Sequence, residues 1–408
     1  MHSRLVPLAP LIPEDRLCLL LAQGQLSQSA LEEALGLLAG PLQWDLILER
    51  AKAHEVYPLV YWNLKNVGFP GVPESARREL ESRFRMNALR NSLCAQELAH
   101  LLRALHNAGI PAIPLKGLLL AELLYGDITL RVCGDMDILV PRRSVLRAFD
   151  LLVTRGYVAQ SPRWFLAERR LRNNFECALS RSDGSLEYTI ELHWGVLVEA
   201  ADDDGSMMAL WAEAREKNVL GAPAYNLSLE GQLLLLAAHA ARHNWQGLKW
   251  LVDIHVLCHE LCRRQDLAWD RVSILAHKLG WEQLVQWSLS ACHQLLDTPL
   301  PPGFREELPP ARRNLYPAAP TLPTPFESAL LFLRLAKRPS EKLRVLLRRL
   351  LIPTPADGTI CRLPSSLKFL YYVIRPFRLG WTLGSSPRQA GGLRKGRGAF
   401  GMRRDEAG

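Results

Sequence analysis

Residues 110–140 read IPAIPLKGLLLAELLYGDITLRVCGDMDILV, and this stretch decides what kind of sheet the chain can build. A short apolar run leads into a Lys-Gly turn, a Leu-rich segment predicts a helix, and an extended run over 130–140 carries Asp135 and Asp137. Side chains alternate across a strand, so the two aspartates point to one face with their Cα atoms about 7 Å apart. Two carboxylates at that spacing can converge on a divalent cation, which offsets their mutual repulsion.

A second acidic strand is predicted further along the chain. From Ser185 to His193 polar and apolar residues alternate strictly, as in a strand with one buried face. The turn at 182–184 predicts a hairpin that pairs this strand with residues 171–180. The polar face carries Glu191, and alternation alone leaves two interpretations open for it: a solvated face, or side chains directed at a metal.

These motifs resemble the nucleotidyltransferase superfamily, and more closely its uncharacterised bacterial branch of nucleotidyltransferase family proteins. Members of that branch carry Leu-Lys-Gly, Leu-Tyr, Arg and Gly-Asp-x-Asp-(Ile/Leu)-Leu-Val in this order. The matching residues here are 115–117, 124–125, Arg131 and 134–140, and an acid-x-His-Trp motif matches residues 191–194.

The resemblance covers residues 40–260 and implies an α+β fold, in which a small mixed β-sheet forms the core and helical regions flank it. It also implies that three catalytic carboxylates, Asp135, Asp137 and Glu191, hold Mg²⁺ or Mn²⁺. Glu191 departs from the aspartate that is commoner at this place in the wider superfamily.

Four residues are expected to contact the nucleotide: Lys116, Gly117, Gly134 and Arg131. The helix that begins at the Lys-Gly turn presents free N–H groups and the positive end of its dipole, which favour a phosphate, and glycine allows close approach. Two alternatives remain open at this point. In the first alternative, Lys116 is a solvated turn residue. In the second, Arg131 forms a structural ion pair.

Three further residues are candidates for orienting the acids or the acceptor: His193, His239 and Asp253. His193 follows Glu191 by two positions on the same strand face. His239 and His243 share a helix face and have the spacing of zinc ligands. Packing or hydrogen bonding is the favoured interpretation, because no glutamate follows the first histidine as in a metalloprotease helix.

The composition of the chain favours anionic binding partners. The net charge of +9 over 408 residues favours nucleotides or RNA, and the eight scattered cysteines predict reduced thiols. No segment predicts a membrane span, and prolines interrupt the apolar run at the N-terminus, unlike a secretory signal. A cytoplasmic protein is therefore expected.

Five regions are predicted along the chain. They are an N-terminal helical region (1–107), the α/β nucleotidyltransferase core (108–200), a helical domain (201–300), a Pro-rich connection with terminal basic helices (301–384) and a disordered basic tail (385–408). A single helix predicted over 327–351 carries a basic stripe, interpreted as a solvated face or as a contact to RNA or a membrane surface.

The resemblance implies an enzyme, a metal-dependent nucleotidyltransferase that moves an NMP from an NTP such as ATP to a hydroxyl or phosphate acceptor. A protein, a tRNA and a small molecule all suit the site as acceptor. Two alternatives keep the same fold: a non-catalytic accessory protein that binds a nucleotide or RNA, and a toxin that modifies tRNA. The accessory protein does not need the three acids, whereas the toxin differs only in its acceptor.

Overall fold

This protein combines many α-helices with one mixed sheet. The computed structural model describes residues 11–160, 163–166, 171, 174–184, 186–197, 204–263, 268–309, 315–336, 338–352, 363 and 365–384. The chain divides into two compact units, Met1–Val345 and Leu346–Gly408. Among the described helices, none has the length and apolar character that crossing a membrane requires.

Fifteen α-helices occur within the described residues. They are α1 (Pro13–Leu21), α2 (Gln28–Leu38), α3 (Trp44–Ala53), α4 (Tyr57–Asn66), α5 (Glu74–Asn107), α6 (Gly117–Tyr125), α7 (Val145–Thr154), α8 (Asp204–Ala212), α9 (Leu229–Arg242), α10 (Leu248–Arg263), α11 (Ala268–Leu279), α12 (Glu282–Leu296), α13 (Pro325–Leu335), α14 (Pro339–Leu351) and α15 (Tyr371–Gly384). The sequence predicts one helix over 327–351. The chain forms two instead, because Pro339 opens α14 and disfavours a helical residue before it.

Seven strands form two sheets in the described part of the chain. They are β1 (Ile113–Leu115), β2 (Met136–Leu139), β3 (Val158–Ala159), β4 (Glu176–Asp183), β5 (Leu186–His193), β6 (Arg215–Val219) and β7 (Ala222–Asn226). The main sheet has the order β1-β2-β5-β4-β3, and β6 pairs with β7. Only β2 and β5 run parallel, while the other pairs are antiparallel. The mixed sheet confirms the predicted α+β class, and β4 with β5 is the predicted hairpin.

The second strand is shorter than the sequence predicts. Residues 130–140 are expected to be extended, yet Ile128–Leu130 is a short 3₁₀ helix and β2 begins only at Met136. The reason lies in α5, whose side chains take the place of a neighbouring strand. Asn87 and Asn91 both donate to the carbonyl of Arg131. The segment before β2 is therefore a loop held by side chains.

The two faces of the sheet meet different apolar clusters. Met136 and Ile138 of β2 belong to a cluster with residues of α5 and α7. Leu139, which points the other way, belongs to a cluster dominated by α9, α10 and α12. Because side chains alternate along a strand, Asp137 shares the face of Leu139 and lies between the sheet and the helices.

Residues 365–384 are described within the second unit. Ser365–Leu370 forms a 3₁₀ helix that leads into α15, which contains Pro376. The predicted disordered basic tail (385–408) lies outside the described residues.

Candidate functional site

Two strand-borne acids meet across the parallel pair of the sheet. Asp137 of β2 is in register with Glu191 of β5. Partners in register point to the same face, so both carboxylates face the helical side. Together with His193 they form a group, found among the described residues, whose ligand atoms all lie within 4.8 Å of one another. Carboxylate oxygens are the ligands that Mg²⁺ and Mn²⁺ prefer, so the two acids of this group fit a divalent ion.

Asp135 lies at the edge of this group, not at its centre. It precedes the first residue of β2 and is not among the three residues that converge within 4.8 Å. Burial, followed by the nearby charge of Asp137, raises the pKa of Asp135 to about 6, while Lys116 acts in the opposite direction. The carboxyl group is thus close enough to interact electrostatically with the other acids.

Asp137 has two cationic partners on one oxygen. Its Oδ1 accepts from Lys116 Nζ at 2.9 Å and from His193 Nε2 at 2.9 Å. The side chain of Asp137 is 1% exposed and that of Lys116 is 10% exposed. Burial alone would raise the pKa of Asp137, but the two partners hold it below its usual range. The acid is therefore ionised, and its charge is compensated inside the protein.

Lys116 reaches Asp137 from an unusual backbone conformation. Its φ of 47° and ψ of −147° lie in a region that side chains other than glycine rarely adopt. Gly117 follows with φ 49°, and a Cβ there would lie 3.5 Å from the Asp135 carbonyl oxygen. The turn directs the lysine inward, and the ammonium also lies 3.4 Å from Nδ1 of His239. The alternative of a solvated lysine is wrong.

His193 is a donor to the acids. Its Nε2 lies 3.4 Å from Glu191 Oε2, and its Nδ1 lies 3.4 Å from Glu176 Oε2 without a well-formed hydrogen bond. Burial would lower the pKa of His193, but its hydrogen bonds to Asp137 and Glu191 raise it to about 9. An imidazolium has no free lone pair, so in this state His193 orients the acids and cannot itself bind a metal.

Arg131 and Asp253 form a buried ion pair of their own. Arg131 Nη2 donates to Asp253 Oδ2 at 2.8 Å, and the side chains are 5% and 0% exposed. Tyr125 Oη donates to Asp253 Oδ1 at 2.9 Å. Of the two interpretations open for Arg131, the structure thus supports the ion pair, and its guanidinium is not available for a phosphate. Asp253 supports the fold around Arg131 and does not touch the acids.

The loop before β2 is anchored on α5. Arg90 donates to the carbonyl of Cys133 at 3.3 Å and to that of Gly134 at 2.6 Å. A Cβ at Gly134 would meet nothing within 4 Å, so the space around it does not require glycine. The anchored loop sets the point at which Asp135 enters the site.

An aromatic cluster covers the lysine from α9 and α10. The ring centroids of His239 and His243 are 4.8 Å apart, and Trp250 lies 4.1 Å from His243. Burial and the charge of Lys116 hold the pKa of His239 well below its usual value. His239 is therefore neutral and accepts a hydrogen bond from the ammonium. This contact supports the predicted hydrogen-bonding role over a zinc site.

Sequence analysis missed three residues around the site. Lys249 pairs with Glu55 and donates to the carbonyl of Val132 at 3.3 Å, and its charge lowers the pKa of Asp135. Glu176 Oε1 accepts from Arg242 Nη2 at 3.2 Å, and Glu176 Oε2 lies near Nδ1 of His193. Lys249 lies on α10, four positions before the predicted residue Asp253, and this proximity was the available signal for it. Glu176 and Arg242 carry no comparable signal.

A cavity of about 610 Å³ opens at the other end of α6. Trp62, Tyr125 and His255 are among the residues that line it. The nine residues of α6 separate Tyr125 from the Lys116 turn, a length of about 13 Å by the helical rise. The cavity and the acid group are therefore separate places in the molecule.

Comparison with known proteins shows what the chain is similar to. A family model described as uncharacterised nucleotidyltransferase matches residues 40–297. No curated protein matches the chain. Among solved structures, the chain is similar to an antigenic nucleotidyltransferase-like protein from Paracoccidioides brasiliensis, with a TM-score of 0.30 and 14% identity over 47% of this chain and 91% of that one. A likeness this distant carries no weight for the function.

Proposed function

The chain belongs to the family of uncharacterised nucleotidyltransferases, and from this membership we propose that it transfers an NMP from an NTP to an acceptor in a reaction that depends on a divalent metal. The observation that carries the proposal is the register of Asp137 with Glu191, which brings two carboxylates to one point beside the turn at Lys116. A pure binding protein has no need of converging acids.

Asp135, Asp137 and Glu191 are the residues that would hold the metal. When bound, a Mg²⁺ or Mn²⁺ ion supplies charge that polarises the phosphoryl oxygens and the attacking oxygen of the acceptor. His193 holds Asp137 and Glu191 in position through its Nε2. Burial first, and then repulsion from Asp137, raise the pKa of Asp135, and a cation would relieve the second of these effects.

The phosphates of the nucleotide are proposed to lie at the start of α6. α6 begins at Gly117, so the free backbone N–H groups of its first turn lie at that end of the helix. Lys116 adds a positive charge next to Asp137. Lys249 provides a second charge near Asp135. Arg131 drops out of the proposed nucleotide contacts, because Asp253 already occupies its guanidinium.

Pyrophosphate release tests the proposal. The protein is incubated with each NTP, Mg²⁺ and candidate acceptors, and the same assay is run on Glu191→Gln. We expect the variant to lose at least about 100-fold in rate, because a metal site contributes several kcal/mol to the barrier. Asp150→Asn is the matched control, since that carboxylate is 48% exposed and pairs with Arg163 on the surface. Equal rates in the wild type and Glu191→Gln would contradict the proposal.

One observation favours a second candidate, a non-catalytic nucleotide-binding protein. Asp137 already has two cationic partners, so its charge is satisfied without a metal. Such a protein binds a nucleotide equally well with and without Mg²⁺ and keeps that affinity in Glu191→Gln. Calorimetric titration with each NTP distinguishes the two candidates, because the proposed enzyme loses affinity when the metal is chelated.

A further inference from the structure

Lys116 is held in place by several independent features. Its backbone is in a strained left-handed conformation, its side chain is 10% exposed, and its ammonium contacts both Asp137 and His239. Strain of this kind persists only where the surroundings impose it. A solvated or mobile lysine needs none of these features. The position of the ammonium is therefore built into the fold.

The contacts of Asp137 limit what else this acid can bind. A carboxylate oxygen accepts through two lone pairs, and both positions on Oδ1 are taken, by Lys116 and by His193. Only Oδ2 remains for a metal. A two-metal clamp needs carboxylates that serve both ions, since the ions stand about 3.5–4 Å apart. With one oxygen occupied, Asp137 can serve a single ion.

We propose that this site takes one divalent cation, and that the ammonium of Lys116 stands in the place of the second. The inference rests on the proposed function and deepens it by setting the number of ions. The ligand atoms left for that ion are then Oδ2 of Asp137 and the carboxylate of Glu191, with Asp135 at the edge of the group. Lys116 belongs to the turn that begins α6, so its charge lies on the side where the phosphates are proposed to bind.

Electron paramagnetic resonance with Mn²⁺ tests the number of ions directly. The protein is titrated with Mn²⁺ alone, and again with a non-hydrolysable analogue of whichever NTP binds best by calorimetry. We expect one Mn²⁺ per chain, with the spectrum of an isolated ion, in both titrations. Lys116→Met frees an oxygen position on Asp137, so we expect two bound Mn²⁺ with the spectrum of a coupled pair.

Lys65→Met is the control, because Lys65 is exposed on α4 and is not part of the acid group, so this variant should stay at one Mn²⁺. A coupled pair in the wild type would overturn the inference, as would a single ion in Lys116→Met. Should Lys116→Met fail to fold, the wild-type count with the analogue decides between one ion and two. If no Mn²⁺ binds to any protein, the metal-dependent function itself is overturned, and this inference with it.

Discussion

At the scale of single residues, buried charge governs what the chain tolerates. Arg131 and Asp253 are 122 positions apart and meet in an ion pair that is almost completely buried. Removing one member of such a pair leaves an uncompensated charge in a medium of low polarity. The pair is thus a fixed requirement of the fold, although it takes no part in the proposed chemistry.

We predict that Asp253→Asn lowers the free energy of unfolding by about 3–5 kcal/mol, the loss seen when a buried pair loses one partner. Urea unfolding followed by circular dichroism measures the change. The double variant Arg131→Met/Asp253→Leu should recover much of that loss, because apolar residues of similar size need no charged partner. Asp150→Asn, on the surface, should leave the unfolding midpoint where it is. A double variant less stable than the single one would contradict the explanation.

The site residues were only partly predictable from sequence. The residue types at 134–137 and 191–193 identify the acids, because their spacing and their resemblance to a family are visible locally. The contact of Lys116 with Asp137 could not be predicted, because it depends on a left-handed backbone conformation that a lysine does not indicate. Nor does any pattern join Arg131 to Asp253.

At the scale of elements, α5 acts as the template for the loop before β2. Asn91 donates to the carbonyls of Ile128 and Arg131, and Asn87 donates to those of Thr129 and Arg131. These side-chain amides replace the strand pairing that the residues of the loop lack. The helix therefore positions the segment that leads to Asp135.

Asn91→Ala tests this role of α5. Loss of the amide removes the Asn91 donor from the Ile128 carbonyl and leaves the Arg131 carbonyl with the longer bond from Asn87, which costs about 1–3 kcal/mol, and the loop should open more often. Hydrogen exchange with mass spectrometry should show faster exchange over residues 128–135, together with slower nucleotidyl transfer. Ser92→Ala on the same helix is the control, because Ser92 is exposed and bonds only to Ala88 within the helix. Unchanged exchange over 128–135 would show that the loop holds its shape without α5.

The elements themselves follow mainly from local pattern. The β4–β5 hairpin was predictable because its alternation and turn lie within one short stretch. The parallel pairing of β2 with β5 brings together Asp137 and His193, which are 56 positions apart, and no local pattern specifies that register. The extent of β2 was predicted wrongly because its neighbours on α5 were unknown.

At the scale of the whole molecule, several histidines are buried in the neutral form. His54 is 1% exposed, and Nε2 donates to the Pro317 carbonyl at 2.8 Å while Nδ1 accepts from the Leu248 N–H at 3.3 Å. Burial lowers the pKa of His54 to about 4, and burial lowers those of His243 and His255 to about 3. Protonation of His54 would place a donor against the Leu248 N–H.

These histidines predict that acid destabilises the protein. Their pKa is lower in the folded chain than the ordinary 6.5, so the unfolded chain takes up protons first and stability falls as the pH drops from 6.5 toward 4. His54 alone should lower the free energy of unfolding by up to about 3 kcal/mol at pH 4. Thermal unfolding between pH 7 and pH 4 measures the trend.

His54→Gln should reduce the slope of that trend. The control is His277→Gln, because His277 is 82% exposed and should not change the slope. An equal slope in all three proteins would contradict the assignment. His193 has the opposite effect on the pH dependence of stability. Because its pKa is about 9 in the folded chain, the stability that it contributes is complete below pH 6.5 and is lost as the pH rises toward 9.

The buried pair of Arg131 and Asp253 also sets an order of events during synthesis on the ribosome. At about 5–20 residues per second, Arg131 emerges roughly 6–24 s before the aspartate that will neutralise it. Until then the guanidinium of Arg131 must stay solvated, and the loop before β2 cannot become buried. A polypeptide released early, before α10 is made, would therefore keep its N-terminal half open to cellular proteases.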